Sequence, residues 1–174
     1  MNVKKAICLF LCSTLLPQLA WAESKANAVT FILNGGYIFF SPKRDLHNTT
    51  TLGAALAYNF TEQWAIQLAA DLLNADSGDP SKHHVHGFVY LLDGLYHFHP
   101  IRIFEPYVMA GMNVTSLKPI SSEPVNQGGM NIGAGTLFLK SNHIALSVEA
   151  RDIYTFSGGK NDILLNGGIN FMWE

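Results

Sequence analysis

The feature that most constrains this chain is a hydrophobic alternation of period two that returns eight times, with no run of the 18 or so apolar residues a membrane helix needs. It opens with Phe31, Leu33, Gly35, Tyr37 and Phe39, and repeats as Leu52, Ala54, Leu56, Tyr58 and Phe60. It continues through Trp64 to Leu72, Phe88 to Phe98, Val108 to Val114, Met130 to Phe138, Ile144 to Ala150 and Ile163 to Trp173. Successive side chains of a strand point to opposite faces, so each segment reads as a strand with one bulky apolar face. An even number of such strands suits an all-β, eight-stranded antiparallel up-and-down barrel.

The connections take turns in length. Residues 41–48, 74–83, 116–127 and 155–161 are rich in Ser, Pro, Asp, Asn, Gly and Lys and read as longer loops. Thr61 to Gln63, His99 to Arg102 and Lys140 to Asn142 read as short turns. Long loops on the outside and short turns in the periplasm are the habit of a transmembrane barrel in an outer membrane.

A soluble barrel also alternates, but its outer face carries Lys and Glu. Here the second face reads Thr51, Gly53, Ala55, Ala57 and Asn59, or Asn131, Gly133 and Gly135, which suits a narrow lumen. Only 14% of the chain is charged, against about 25% in soluble domains. The bulky apolar set is therefore expected to meet lipid. Phe31, Tyr58, Phe60, Trp64, Tyr96, Phe98, Phe104, Phe138, Phe171 and Trp173 fall on that face at the short-turn ends of strands, as a periplasmic aromatic girdle would.

The first 22 residues read as a signal peptide: Lys4 and Lys5, an apolar stretch from Ala6 to Leu16, and Ala20-Trp21-Ala22 as the cleavage site. The barrel domain is then assigned to residues 28–174. Both cysteines, Cys8 and Cys12, lie in the leader, so the exported chain is expected to hold neither disulfide nor thiol chemistry. Eleven basic against 13 acidic side chains offer no surplus of positive charge for nucleic acid.

The stretches LGAALAYNF (52–60), LLDGLYHF (91–98), PYVMAGMN (106–113) and VEARDIYTFSGGKNDILLNGGINF (148–171), in this order and spacing, resemble the transmembrane domain of the outer membrane protein A (OmpA) family, including its pseudomonad-type relatives. The resemblance runs from about Ala28 to Trp173. Members often continue into a peptidoglycan-binding domain, which has no counterpart before Glu174, so wall tethering is not carried over. The resemblance implies an outer-membrane location and an internal salt-bridge gate. Gly168, Phe171 and Trp173 look like the C-terminal strand signal read by the barrel-assembly machinery.

The best candidates for chemistry are ionisable residues on the lumen face: Asp71, Asp93, Glu149 and Arg151. A charge inside a barrel is costly unless paired, so a network is expected among them. It reads either as a plug in a structural barrel or as the gate of a narrow, weakly cation-selective pore. The register turns Asp152 outward, to the extracellular rim or to a bulge. His83, His84 and His86 raise a metal site, though no Cys or second cluster supports one; His97 and His99 are expected to face water. Asp76 and Ser77 in one outer loop and His47 in another supply the residue types for acyl transfer, but nothing ties them together and no enzyme is expected. No cofactor is implied. The partners expected are outer-membrane lipids and lipopolysaccharide, with the barrel acting as a monomer in an envelope role. Adhesion through charged loops such as Lys43, Arg44, Asp45, Lys118 and Lys160 is a further reading.

Overall fold

The computed structural model describes residues 24–77, 84–119, 125–139, 141 and 143–173. The leader expected over residues 1–22 lies outside the described residues. Every alternating segment is a strand: β1 (Val29–Phe39), β2 (Thr49–Asn59), β3 (Trp64–Ala75), β4 (Val85–His97), β5 (Phe104–Pro119), β6 (Val125–Leu139), β7 (Ile144–Thr155) and β8 (Lys160–Trp173). Each pairs antiparallel with the next, and β8 returns to β1 from Val29↔Trp173 to Phe39↔Ile163, closing the ring. Closure removes the free edge and gives the backbone polar groups partners along the ladders, which is the condition for crossing lipid with strands.

Leu52, Leu56, Leu68, Met112, Ile132 and Val148 stand on the outer face, each more than half exposed. A water-facing monomer does not leave so continuous an apolar surface bare; hydrocarbon covers it. Around its periplasmic end rings touch, from neighbouring strands as Trp64 and Tyr96 at 4.9 Å and Phe104 and Phe138 at 5.2 Å, and along β8 as Phe171 and Trp173, stacked at 6.3 Å. Tyr58–Phe60 and Tyr96–Phe98 extend the same ring, and Phe31 stands opposite Phe171. A second set lies at the extracellular end, where Tyr37–Phe39, Phe88–Tyr90 and Tyr154–Phe156 pair at 5.0, 5.8 and 6.0 Å. Tyr37, Phe39, Phe88 and Tyr90 belong to the expected alternation, whereas Tyr154 and Phe156 lie beyond the segment expected to end at Ala150.

Two expectations change. The loops expected over 116–127 and 155–161 are cut back by the strands, because β5 runs on to Pro119, β6 starts at Val125, β7 runs to Thr155 and β8 starts at Lys160. Thr115↔Gln127 and Ser116↔Asn126 are laddered residues at the extracellular end of the wall, where a paired strand needs no apolar face. Composition alone gives such a segment the look of a loop. Nor is the lumen uniformly small and polar: Ile38, Leu73, Leu91, Ile153 and Leu164 point inward and are essentially sealed. In an eight-stranded ring the interior must be filled by side chains, and bulky apolar residues do so wherever no polar partner is on offer.

The first outer loop folds back over the mouth. Ser41 caps a single 3-10 turn, Pro42–Arg44, accepting from the Lys43 amide at 3.4 Å. Asp45 then takes a left-handed conformation (φ 52°), one that a short polar side chain tolerates, and ends the turn.

Candidate functional site

The lumen is built in layers. At mid-height Arg151 on β7 donates from Nε to Glu149 Oε1 at 2.9 Å and from Nη1 to Asp93 on β4. Glu149 also accepts from the Tyr107 hydroxyl at 3.1 Å and the Asn166 amide at 3.5 Å. Asp71 stands to one side, its Oδ1 accepting from Asn34 at 3.0 Å. Of the four expected lumen charges the fold thus brings three into direct contact, and Asp71 stands apart from them, held by the neutral amide of Asn34. Arg151 is 2% exposed and Asp93 1%, so the pair lies far from bulk water.

Directly across from each of these side chains the neighbouring strand carries a glycine: Gly53 opposite Asp71, Gly111 opposite Asp93, Gly135 opposite Glu149 and Gly133 opposite Arg151. A Cβ on Gly53 would run into the Asp71 carboxylate and stand 2.6 Å from the Ala70 carbonyl oxygen. One on Gly111 would overlap the Leu92 carbonyl oxygen and stand 2.8 Å from Asp93 Cα. Backbone atoms cannot yield as a side-chain tip can, so the wall closes around the belt only where the facing residue lacks a side chain.

On the extracellular side of the belt, Ile38, Phe40, Leu73, Leu91, Ile153 and Leu164 form one apolar layer. On the periplasmic side Leu95, Tyr107, Met109 and Leu137 form another. Below it a space of about 30 Å³ touches Asn59, Gln67, His97 and Asn170. That is room for about one water.

Each mouth carries a polar seal that the sequence reading did not pick out. At the outer mouth Arg44 reaches in from the loop and donates to Asp162 Oδ2 (2.6 Å), Gln127 Oε1 (2.9 Å) and Thr155 Oγ1 (2.6 Å). Asp162 Oδ1 accepts from the Ser41 amide at 2.9 Å, and Lys43 Nζ donates to the Gly159 carbonyl at 2.8 Å. The Arg44 and Asp162 side chains are each 1% exposed, so Arg44 is a latch rather than a scattered surface charge. At the periplasmic mouth Glu105 accepts from the Ser24 amide at 3.0 Å and from the Ser24 hydroxyl, and its Oε1 lies 2.7 Å from His97 Nδ1. His97, expected to face water, is therefore buried: Tyr96 and Phe98 point outward, and parity turns His97 in. The same parity was the available signal for Asp162, which alternates with outward Ile163 and Leu165.

Arg44→Ala is expected to release the first loop, because Asp162 would be left buried without its counter-charge. Trypsin added to intact cells should then cut after Lys43 in the variant and spare the wild type. Equal resistance of the two would show that the latch does not hold the loop.

The remaining candidates are dispersed. His84 Nδ1 lies 2.7 Å from Asp76 Oδ1, and His86 Nδ1 2.6 Å from Asn74 Oδ1, while His83 falls outside the described residues. Among the described residues no three His, Cys, Asp or Glu side chains group closely enough to hold a metal. The two outer loops do meet, through the His47 amide donating to the Asp76 carbonyl at 2.9 Å and a bridge between Leu46 and Ser77. The Asp76 carboxylate, however, turns to His84 rather than His47, and that pair is about two-thirds exposed. Phe171 and Trp173 face outward on the closing strand, opposite Phe31 and Val29, and Gly168 faces Asn34. Asp152 points outward without a bulge, three residues below the end of β7.

A closed ring with a lipid-coated exterior and a filled, sealed interior defines the small membrane-spanning barrels. The chain belongs to the outer membrane protein beta-barrel domain family, whose model matches residues 8–172. It is a protein of the cell outer membrane, and the fold is the one its resemblance to the OmpA transmembrane domain implies. It is similar to the N-terminal β-barrel domain of Pseudomonas aeruginosa OprF, at 23% identity and a TM-score of 0.61 over 84% of this chain and 98% of that one. Neisserial surface protein A matches at 10% identity and 0.70 over 84% and 97%. Ail, the attachment invasion locus protein of Yersinia pestis, matches at 11% and 0.59 over 86% and 99%. No curated protein matches the chain.

Proposed function

We propose that this protein is a plugged barrel with a structural role in the outer membrane, surrounded by lipid and lipopolysaccharide and acting as a monomer without catalytic chemistry. The observation that carries this reading is the stacking of the lumen: a polar seal at each mouth and an apolar layer on either side of the charge belt. An ion crossing the barrel would have to shed most of its water at each layer, where bulky apolar side chains outnumber the few inward polar groups such as Asn113, Asn131 and Ser147. The narrow cation-selective pore needs at least one of these layers to open. Planar-bilayer recordings of the inserted protein are expected to be silent, and a strain lacking it to take up hydrophobic dyes faster. Discrete cation-selective steps would replace the plug by the pore, and an unchanged dye barrier would remove the envelope role.

Assembly follows from the closing strand. Gly168, Phe171 and Trp173 are suited to recognition by the barrel-assembly machinery, since Phe171 and Trp173 stand on the outer face of the strand that must dock last onto β1. Phe171→Ala combined with Trp173→Ala is expected to cut the outer-membrane yield severalfold while the same chain still refolds in detergent. Normal yield would overturn this role.

A further inference from the structure

We propose that the outer face of β5, β6 and β7 carries a binding site for the ammonium group of a cationic amphiphile, with Asp152 as its counter-ion. Asp152 stands between Ile132 and Ile163 in the ladder and one outward position below Tyr154, inside the apolar band and just beneath the extracellular aromatic pairs. A carboxylate facing hydrocarbon is costly and needs a partner. The protein supplies almost none. Oδ2 is 3.5 Å from the Asn161 amide, and Oδ1 is buried with no hydrogen-bonding partner among the described residues.

The surroundings say what kind of partner fits. Asp152 helps line a cleft of about 600 Å³ with Met112, Met130, Ile132, Tyr154 and Phe156, over a floor that includes Gly111 and Gly129. This is the size of a small-molecule site and too large for a lone ion. A divalent metal would want about six oxygen ligands, and Asp152 is the one carboxylate here. A bulky, weakly hydrated ammonium suits the site better, since aromatic faces and methionine sulfur accept it beside the carboxylate. Tyr154 and Phe156 meet edge to face at 6.0 Å, and both are well exposed toward the cleft side. Because the site lies below the membrane surface, the ligand must carry an apolar body that runs down the band. Either a lipid with an amine headgroup or a free amphiphilic amine has this chemistry.

The test titrates tetradecyltrimethylammonium into the refolded barrel in neutral maltoside micelles, followed by amide shifts in a two-dimensional NMR spectrum, with tetradecyl sulfate as control. Saturable shifts confined to residues 130–132 and 152–156 are expected with the ammonium and none with the sulfate. Asp152→Asn should bind about tenfold more weakly, as loss of a partly desolvated ion pair implies. Tyr154→Leu tests the aromatic wall separately and should also weaken binding, and the unboiled gel shift of each variant reports that it is folded. Nanodiscs of phosphatidylethanolamine against phosphatidylglycerol then separate the sources: the same shifts with the amine lipid identify a headgroup, and their absence a free amphiphile. Equal binding by wild type and a folded Asp152→Asn, or equal shifts with the sulfate, would overturn the site.

Discussion

Arg151→Met is expected to destabilise the folded barrel by about 3–5 kcal/mol, because it leaves Asp93 and Glu149 buried without their counter-charge. The urea midpoint in lipid vesicles, read from the unboiled gel band, should fall accordingly. The triple variant Asp93→Asn, Glu149→Gln, Arg151→Met is expected to recover most of that loss, since the cost lies in orphaned charge rather than in the absence of an attraction. A single variant within about 1 kcal/mol of wild type would mean that water reaches the belt, and would undercut the plug reading with it.

Gly111→Val should do comparable damage by a different route. Its branched side chain would enter space held by the Leu92 carbonyl and Asp93 Cα, on the strand directly opposite. Overpacking of a side chain costs about 1–3 kcal/mol, and here backbone must move, so a loss of about 3 kcal/mol or more is expected. Most of the folded band should disappear. Gly35→Ala is the internal control: it faces outward, and its Cβ would find nothing nearer than 3.6 Å. If both variants fold equally well, the glycines opposite the belt are not what lets the wall close around it.

The strands were legible because period two is a local signal; Phe31 to Phe39 announces its outer face without any partner. Strand ends were less so. Thr115, Ser116, Lys118, Asn126 and Gln127 are polar and lie at the extracellular ends of β5 and β6, so their composition is that of a loop although they are paired. The charge belt was half legible: parity put Asp71, Asp93, Glu149 and Arg151 inside, but which of them touch depends on how the closed ring brings β4 and β7 across from one another. The glycines opposite them had no meaning until the register was known. Arg44 was the least readable, since its partner Asp162 lies 118 residues away and a basic residue in a Ser-Pro-Lys loop looks like solvated surface.

Ser24 precedes β1, whereas Glu105, the group it docks on, belongs to β5, half-way round the ring and 81 residues along the chain. The two can meet only when the strands between them stand side by side and the far wall has come round to face the near one. A partial sheet, however well laddered, leaves them apart. The contact is therefore a late event in the life of each molecule, a cork that fits only a finished bottle, and its formation dates the moment at which the wall became complete.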